Sequence, residues 1–237
     1  MNLPLNTSAN ISDPIAQARY NMIEQQIRPW NVLDADVLDL LAVVRREDFV
    51  PPAYRSLAFM DIEVPLLGND AEEAVRLGHS MLQPRVEARI LQDLQIQPTD
   101  RVLEIGAGSG YMAALLAARA ERVVSLEINP ELAEMARENL RDAGVQNADV
   151  RLNDGARDAI PDGPFDVIVL SGSVAEVPTA LLSLLKDGGR LGAIVGGEPV
   201  MRFTLTRRTG DRFETTSPWD TIAPRLVNFP EPSGFTF

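Results

Sequence analysis

A glycine-rich segment, Glu104-Ile105-Gly106-Ala107-Gly108-Ser109-Gly110, is followed downstream by an acidic residue in Glu127-Ile128 and another in Asn153-Asp154-Gly155. Closely spaced glycines let a backbone turn sharply and approach a ligand without interference from a Cβ. Where a helix starts at the end of such a loop, its unpaired N–H groups form a ready donor set for a carboxylate or a phosphate. A carboxylate closing the next strand accepts the two hydroxyls of a ribose. Asp154 is placed to accept from an exocyclic amino group, with Gly155 letting the backbone approach a ring. Taken alone, Asp-Gly is also a common turn.

These features fit two kinds of adenosine-bearing cofactor. A dinucleotide would set its pyrophosphate on the helix start. S-adenosylmethionine has no phosphate, and would bring its methionine carboxylate and ribose to the same donors. Glu104 weighs toward the second. A dehydrogenase loop usually has an apolar residue two places before its first glycine, whereas a carboxylate suits a ligand with an ammonium and a sulfonium. The expected cofactor contacts are Glu104, Gly106, Ala107, Gly108, Ser109, Gly110, Glu127, Ile128, Asp154 and Gly155. A dinucleotide site and a plain strand-to-helix turn stay as the alternatives.

Other chemistry is limited by what the chain lacks. It has no cysteine and one histidine, His79. Thiolate catalysis and disulfides are therefore excluded, and any metal would have hard carboxylate ligands alone, so no metal is expected. His79 is the one side chain that ordinarily titrates near neutrality, which makes it a candidate catalytic group; a hydrogen-bonded loop residue is the plainer reading. Lys186 is the sole lysine and no GxxxxGK[ST] pattern occurs, which excludes a P-loop and disfavours a Schiff base.

The elements needed to position these residues are legible in the periodicity. Val102–Ile105 is a short apolar strand leading into the glycines, and Tyr111–Ala120 reads as the helix after them. Arg122–Glu127, Ala148–Leu152, Phe165–Leu170 and Arg190–Val195 read as further strands. A helix from Asn129 or Pro130 to Leu140 stops at Gly144, and another from Pro178 to Leu185 stops at Gly188-Gly189. Phe203–Thr206 and Phe213–Thr216 flank Gly210-Asp211 as a hairpin. Strand–helix alternation predicts an α/β, Rossmann-like, doubly wound and mostly parallel sheet, with an antiparallel C-terminal edge. Upstream, helices are expected over Ile15–Ile27, ended by Pro29, over Asp34 to about Val44, and over Gln83–Leu94. The organisation read from this is a flexible arm at 1–14, a helical segment at 15–98, the sheet domain at 99–223 and a C-terminal strap at 224–237.

The chain has 237 residues, of which 45% are hydrophobic and 24% charged, as in a globular protein. A net charge of -12 repels phosphate backbones, so nucleic acid is not an expected partner. No apolar run reaches the ~20 residues of a membrane span, and residues 1–15 lack the pattern of a signal peptide, which makes the cytoplasm the expected location.

The sequence resembles the protein-L-isoaspartate O-methyltransferases. Val102–Leu116, VLEIGAGSGYMAALL, is close to that family's VLEIGTGSGYQAALL. Arg46-Glu47-Asp48-Phe49-Val50-Pro51 is similar to its Arg-Glu-x-Phe-Val-Pro segment. Ala58-Phe59-Met60-Asp61 with Val64-Pro65-Leu66 resembles its Ala-Tyr-x-Asp and Leu-Pro stretch. Asp154-Gly155, Phe165–Val169, Val177-Pro178 and Leu185–Leu191 continue the match in order, so it runs from about Met22 to Leu226. The resemblance implies a Rossmann-like methyltransferase that uses S-adenosylmethionine, yields S-adenosylhomocysteine, and acts on isoaspartyl carboxylates of damaged proteins. A carboxylate acceptor is already ionised at neutral pH, so alignment and water exclusion are what the enzyme supplies.

One departure falls on the acceptor side. The family's Gly-Gln-Thr-Ile-Ser-x-Pro loop corresponds to Gly78-His79-Ser80-Met81-Leu82-Gln83-Pro84. Aligned on the proline, Ser80 takes the threonine position and Leu82 that of the family's active-site serine. Ser173, beside Gly172, is a hydroxyl that could serve from the opposite side. The acceptor-site candidates are therefore His79, Ser80, Leu82 and Ser173. The acceptor reads as an isoaspartyl peptide or protein; a small-molecule carboxylate, and cofactor binding without turnover, are the rival expectations.

Overall fold

The computed structural model describes residues 13–68 and 70–231. Residues 1–12 of the expected arm lie outside that range, as do 232–237 of the strap. Asp13 is already a helix cap: its side chain accepts from the Ile15 N–H at 3.0 Å and starts α1 (Pro14–Met22). The helical path continues through a wider turn at 23–27 and a tight one at 28–30, so Pro29 sits inside the last turn rather than before it. Asn31, in the left-handed region at φ 64°, ends the run. Asp34 caps α2 (Ala35–Val43), as its side-chain chemistry predicts. Short tight-helical turns at 46–49 and 52–59, β1 (Val64–Pro65), α3 (Ala71–Arg76) and β2 (Ser80–Met81) lead to α4 (Pro84–Leu94).

Strand–helix alternation follows as expected: β3 (Arg101–Ile105), α5 (Tyr111–Ala117), β4 (Arg122–Glu127), α6 (Pro130–Asp142), β5 (Ala148–Leu152), β6 (Phe165–Val174), α7 (Thr179–Leu182), β7 (Leu185–Gly197), β8 (Val200–Thr209) and β9 (Arg212–Thr221). The seven-stranded sheet has the order β5-β4-β3-β6-β7-β8-β9. The five strands from β5 to β7 are parallel, and β8 and β9 run antiparallel at the edge. The chain winds outward from β3 in one direction and then returns to lay β6 on its other side, which makes the β3–β6 boundary a topological switch point.

Two expected boundaries move. The helix read over Pro178–Leu185 is one turn, and Gly188-Gly189 lie within β7 rather than at a helix stop. The glycines sit at a bulge where the β6–β7 register jumps from Phe165↔Leu185 to Val167↔Arg190. Likewise β6 runs on to Val174, past the expected end at Leu170, so Ser171, Gly172 and Ser173 are strand residues.

One sheet face and the N-terminal segment share a core. Met22, Ile27, Leu38, Leu41, Ile90 and Leu94 belong to the same buried cluster as Val102, Leu115 and Val123. α4 buries Val86, Ile90, Leu91 and Leu94 at the spacing of one helical face, which holds the residues just before it against the sheet. The opposite face packs Leu103, Ile105, Phe165 and Leu170 under Phe229 of the strap.

Candidate active site

The loops after β3, β4 and β5 and the end of β6 meet at the carboxyl edge of the sheet and enclose a cleft of about 120 Å³. Its walls include Gly106, Gly108, Glu127, Ile128, Asp154, Gly155 and Ser171, closed by His79 and Ser80 on one side and by Arg225, Leu226 and Phe229 on another. Six of the ten expected cofactor residues thus line one cavity, as the switch point requires.

The loop holds its shape through backbone chemistry. Gly106, Gly108 and Gly110 have φ of 95°, 53° and 83°, a region that L side chains rarely adopt. Glu127 braces it: one carboxylate oxygen accepts the Gly108 N–H at 2.9 Å and the other accepts Asn129 N–H at 3.0 Å. Each oxygen retains a further lone pair, so the carboxylate can take two more donors from the cleft. Beside it, Asn153 Oδ1 is buried without a hydrogen-bond partner. Asp154 is tied at both oxygens, to the Ala156 N–H at 3.0 Å and to Asn228 Nδ2 of the strap at 2.8 Å. A Cβ on Gly155 would fall 2.7 Å from Ile105 Cγ2, so this glycine is required by packing against β3 as much as by approach to a ligand.

Four expected cofactor residues stand behind the cleft. Glu104 is fully buried and does not line it. Its oxygens accept from Ser125 Oγ at 2.6 Å and Ser171 Oγ at 2.8 Å. Burial raises its pKa to about 8, so at neutrality the group is a neutral carboxylic acid and not the anion that an ammonium or sulfonium would pair with. The reason is the sheet: residue 104 lies mid-sheet, in register with Ser125 on β4 and Val169 on β6, and the Ser125 and Ser171 hydroxyls occupy its two oxygens, while Ser171 also reaches the cavity. Gly110 abuts α6, where a Cβ would lie 3.1 Å from the Ala136 carbonyl oxygen. Ala107 and Ser109 are buried, with the Ser109 carbonyl accepting from Asn139 Nδ2 at 2.9 Å.

The acceptor candidates divide in the same way. His79 and Ser80 face the cleft. His79 Nε2 is 3.4 Å from Asn129 Nδ2, and Ser80 Oγ is 3.4 Å from Glu63 Oε2, whose carboxyl burial pushes upward in pKa. Leu82 is turned inward, 6% exposed, as a core residue whose carbonyl accepts from Arg46 Nη2 at 2.7 Å. Ser173 is fully buried, and its hydroxyl donates to the Pro224 carbonyl at 3.2 Å. The expectation of a hydroxyl facing the acceptor from Ser173 is corrected: the extended β6 turns it to anchor the strap, with further bonds from Ser173 N–H to Pro224 O and from Leu226 N–H to Ser173 O.

Ser171, Asn153 and Arg225 are polar cleft residues that were not among the expected site residues. Ser171 lay past the expected end of its strand. Asn153 had only its position before Asp154 to mark it. Arg225 had no local signal, because nothing in a proline-bounded tail indicates that it returns to the sheet. Its Nη2 donates to the Gly196 carbonyl at 2.8 Å and its Nε pairs with Glu231 at 3.0 Å, while Nη1 is buried in the cleft wall with no partner. Among the described residues, no group of three or more His, Asp or Glu side chains is placed to hold a metal, and no helix is long and apolar enough to cross a membrane.

Comparison with known proteins agrees with this geometry. The family model for protein-L-isoaspartate(D-aspartate) O-methyltransferase matches residues 17–222. A protein-L-isoaspartate O-methyltransferase from Methanoculleus marisnigri is 40% identical over 205 residues, covering 86% of this chain and 89% of that one. One from Methylorubrum extorquens is 37% identical, covering 90% and 91%. A Plasmodium falciparum structure described as a beta-aspartate methyltransferase, in complex with S-adenosyl-L-homocysteine, superposes with a TM-score of 0.73 at 18% identity, covering 88% of this chain and 97% of that one. That likeness shows the shared fold.

Proposed function

Because the chain belongs to the protein-L-isoaspartate O-methyltransferase family, S-adenosylmethionine-dependent enzymes that methylate isoaspartyl residues, we propose a division of that work among its own side chains. Glu127 carries the reading. It is a carboxylate held at the mouth of a glycine cradle by two backbone N–H bonds, with acceptor capacity left over on the cleft side. The cradle fits the cofactor: positive-φ glycines bring the backbone close, and the partnerless Asn153 Oδ1 is an acceptor awaiting a donor. When bound, S-adenosylmethionine supplies an electrophilic methyl group on its sulfonium.

Glu127 takes the ribose hydroxyls, and Asn153 with Asp154 takes the adenine edge. Ser171 lines the cleft with its hydroxyl fixed by Glu104, which acts as a positioning residue. Arg225 Nη1 holds the acceptor carboxylate; its backbone stands against the acceptor loop, where a Cβ on Gly78 would lie 3.8 Å from the Arg225 carbonyl oxygen. His79 and Ser80 border that acceptor and orient it. No side chain has to remove a proton, since the acceptor carboxyl is ionised well below neutrality. Leu226 and Phe229 of the strap exclude water from above.

Radiolabelled S-adenosylmethionine incubated with an isoaspartyl peptide tests the assignment. Label should enter the peptide as a base-labile ester and should not enter the matching aspartyl peptide. Absence of transfer, with S-adenosylhomocysteine binding intact by calorimetry, would overturn it.

A further inference from the structure

A second cavity, of about 160 Å³, opens beside the acceptor loop between Trp30 and Trp219 and includes Gln83, Arg85 and Arg89 in its walls. Arg85 lies over the Trp30 ring at 4.0 Å and Arg89 over the Trp219 ring at 4.9 Å. The two arginines differ in what else they do. Arg85 donates to Asp61 at 2.6 Å. Arg89 has no carboxylate partner among the described residues, so its guanidinium lies over an indole with its donors uncommitted. The carboxylates at the cavity have their own partners: Asp93 accepts the Trp219 indole N–H at 2.6 Å, and Asp220, itself in the wall, pairs with Arg202 at 3.0 Å. The Trp219 ring is itself fixed by stacking on Phe203 at 4.9 Å.

Two further observations point to a ligand here. Gln83 Oε1 is buried and partnerless, an acceptor that calls for a donor such as a peptide N–H. Gln83 also opens α4 without a side-chain cap, so the positive end of an eleven-residue helix borders the same cavity. A stacked guanidinium with a free edge binds carboxylates in a bidentate fashion. Arg89 is therefore the uncommitted cation in the wall of this cleft, on a chain of net charge -12. Gln83 follows Leu82 directly, so the cavity continues the acceptor loop away from the cofactor cleft.

We propose that this cleft is a subsite for the stretch of acceptor polypeptide flanking the isoaspartyl residue, and that it favours a stretch bearing a carboxylate. The proposal rests on the methyltransferase reading above. The peptide backbone donates to Gln83, the acidic side chain meets Arg89, and the two indoles form the walls. This gives the enzyme a preference among damaged sites that the methyl-transfer cleft alone does not encode.

The test uses the full-length enzyme and a set of short isoaspartyl peptides in which one flanking residue at a time is Glu or Gln. The parent enzyme should show a KM about threefold to tenfold lower for the Glu peptide at one or two flanking positions, the range expected of a partly exposed charged pair. Arg89→Gln should bring that ratio to about one, whereas Arg212→Gln, a surface arginine at the far end of β9, should preserve it. No Glu preference in the parent, or an unchanged ratio in Arg89→Gln, overturns the subsite. Both tryptophans of the chain line this cleft. Their fluorescence therefore gives a readout independent of turnover: aspartyl versions of the Glu peptides should perturb it more strongly than the Gln versions. Loss of methylation with every peptide would sink the methyltransferase reading, while the fluorescence titration would still decide for or against the subsite.

Discussion

At the scale of single residues, the site depends on which carboxylates reach the cleft. Glu127 borders the cleft and braces the loop, so Glu127→Gln, which keeps the volume but replaces one acceptor with a donor, should weaken S-adenosylhomocysteine binding by about tenfold or more in a calorimetric titration. Unchanged affinity would remove the ribose assignment. Leu82 gives the converse case. Restoring the family serine there would place a hydroxyl in the core, since the side chain is 6% exposed. Leu82→Ser should lower unfolding stability by about 3 kcal/mol, as large-to-small core changes do, without raising kcat on an isoaspartyl peptide. A gain in kcat would show that the position does face the acceptor.

Elements decide how the strap reaches the cleft. β6 extends to Val174 and presents Ser173 to bond the backbone of Pro224 and Leu226. That docking lays the Leu226 side chain over two glycines: a Cβ on Gly106 would lie 3.1 Å from Leu226 Cδ2, and one on Gly172 would lie 2.8 Å from Cγ. Gly172→Ala should therefore push the strap outward. Faster amide exchange across residues 224–229, together with weaker S-adenosylhomocysteine binding, is the expected outcome; exchange equal to the parent's would mean that the strap is held by other contacts. α4 works in the same way on the acceptor loop. Its buried face fixes Gln83, and Arg46, fully buried and paired with Glu87 of that helix, ties down the Leu82 carbonyl.

For the whole molecule, the buried Glu104 couples stability to pH. Its folded pKa, raised by burial to about 8, lies above its ordinary value of 4.5. Between those two values the folded chain holds a proton that the unfolded chain releases, so stability is greatest on the acid side of this window and declines as pH rises toward 8. The decline is about 1.4 kcal/mol for each unit of displacement. Urea unfolding at about pH 5, 6.5 and 8 should show it. Glu104→Gln, able to bond both Ser125 and Ser171 while carrying no charge, should lessen the slope, most visibly between about pH 7 and 8, because Glu87, raised by burial to about 7, contributes with the same sign below that. An identical pH slope in the variant would mean that Glu104 is not the group responsible.

The sequence by itself determined the α/β class, the strand–helix order, the hairpin edge and the glycine loop with Glu127 after it. These are local properties: apolar periodicity, caps such as Asp34 and Asn129, and backbone freedom at glycine act within a few residues. Only the tertiary structure decided which of the named side chains share a cavity. Glu104 and Glu127 look alike as acids at strand ends, yet one is sealed between two serines in the sheet and the other opens on the cleft. Ser173 and Leu82 were turned to structural tasks, while Arg225 and Asn153 were brought to the cleft wall with unpartnered atoms. The reason is that side-chain direction and burial depend on strand length and on contacts between residues far apart in the chain, such as Arg225 with Gly196 and Ser171 with Glu104. No spacing along the sequence encodes those contacts.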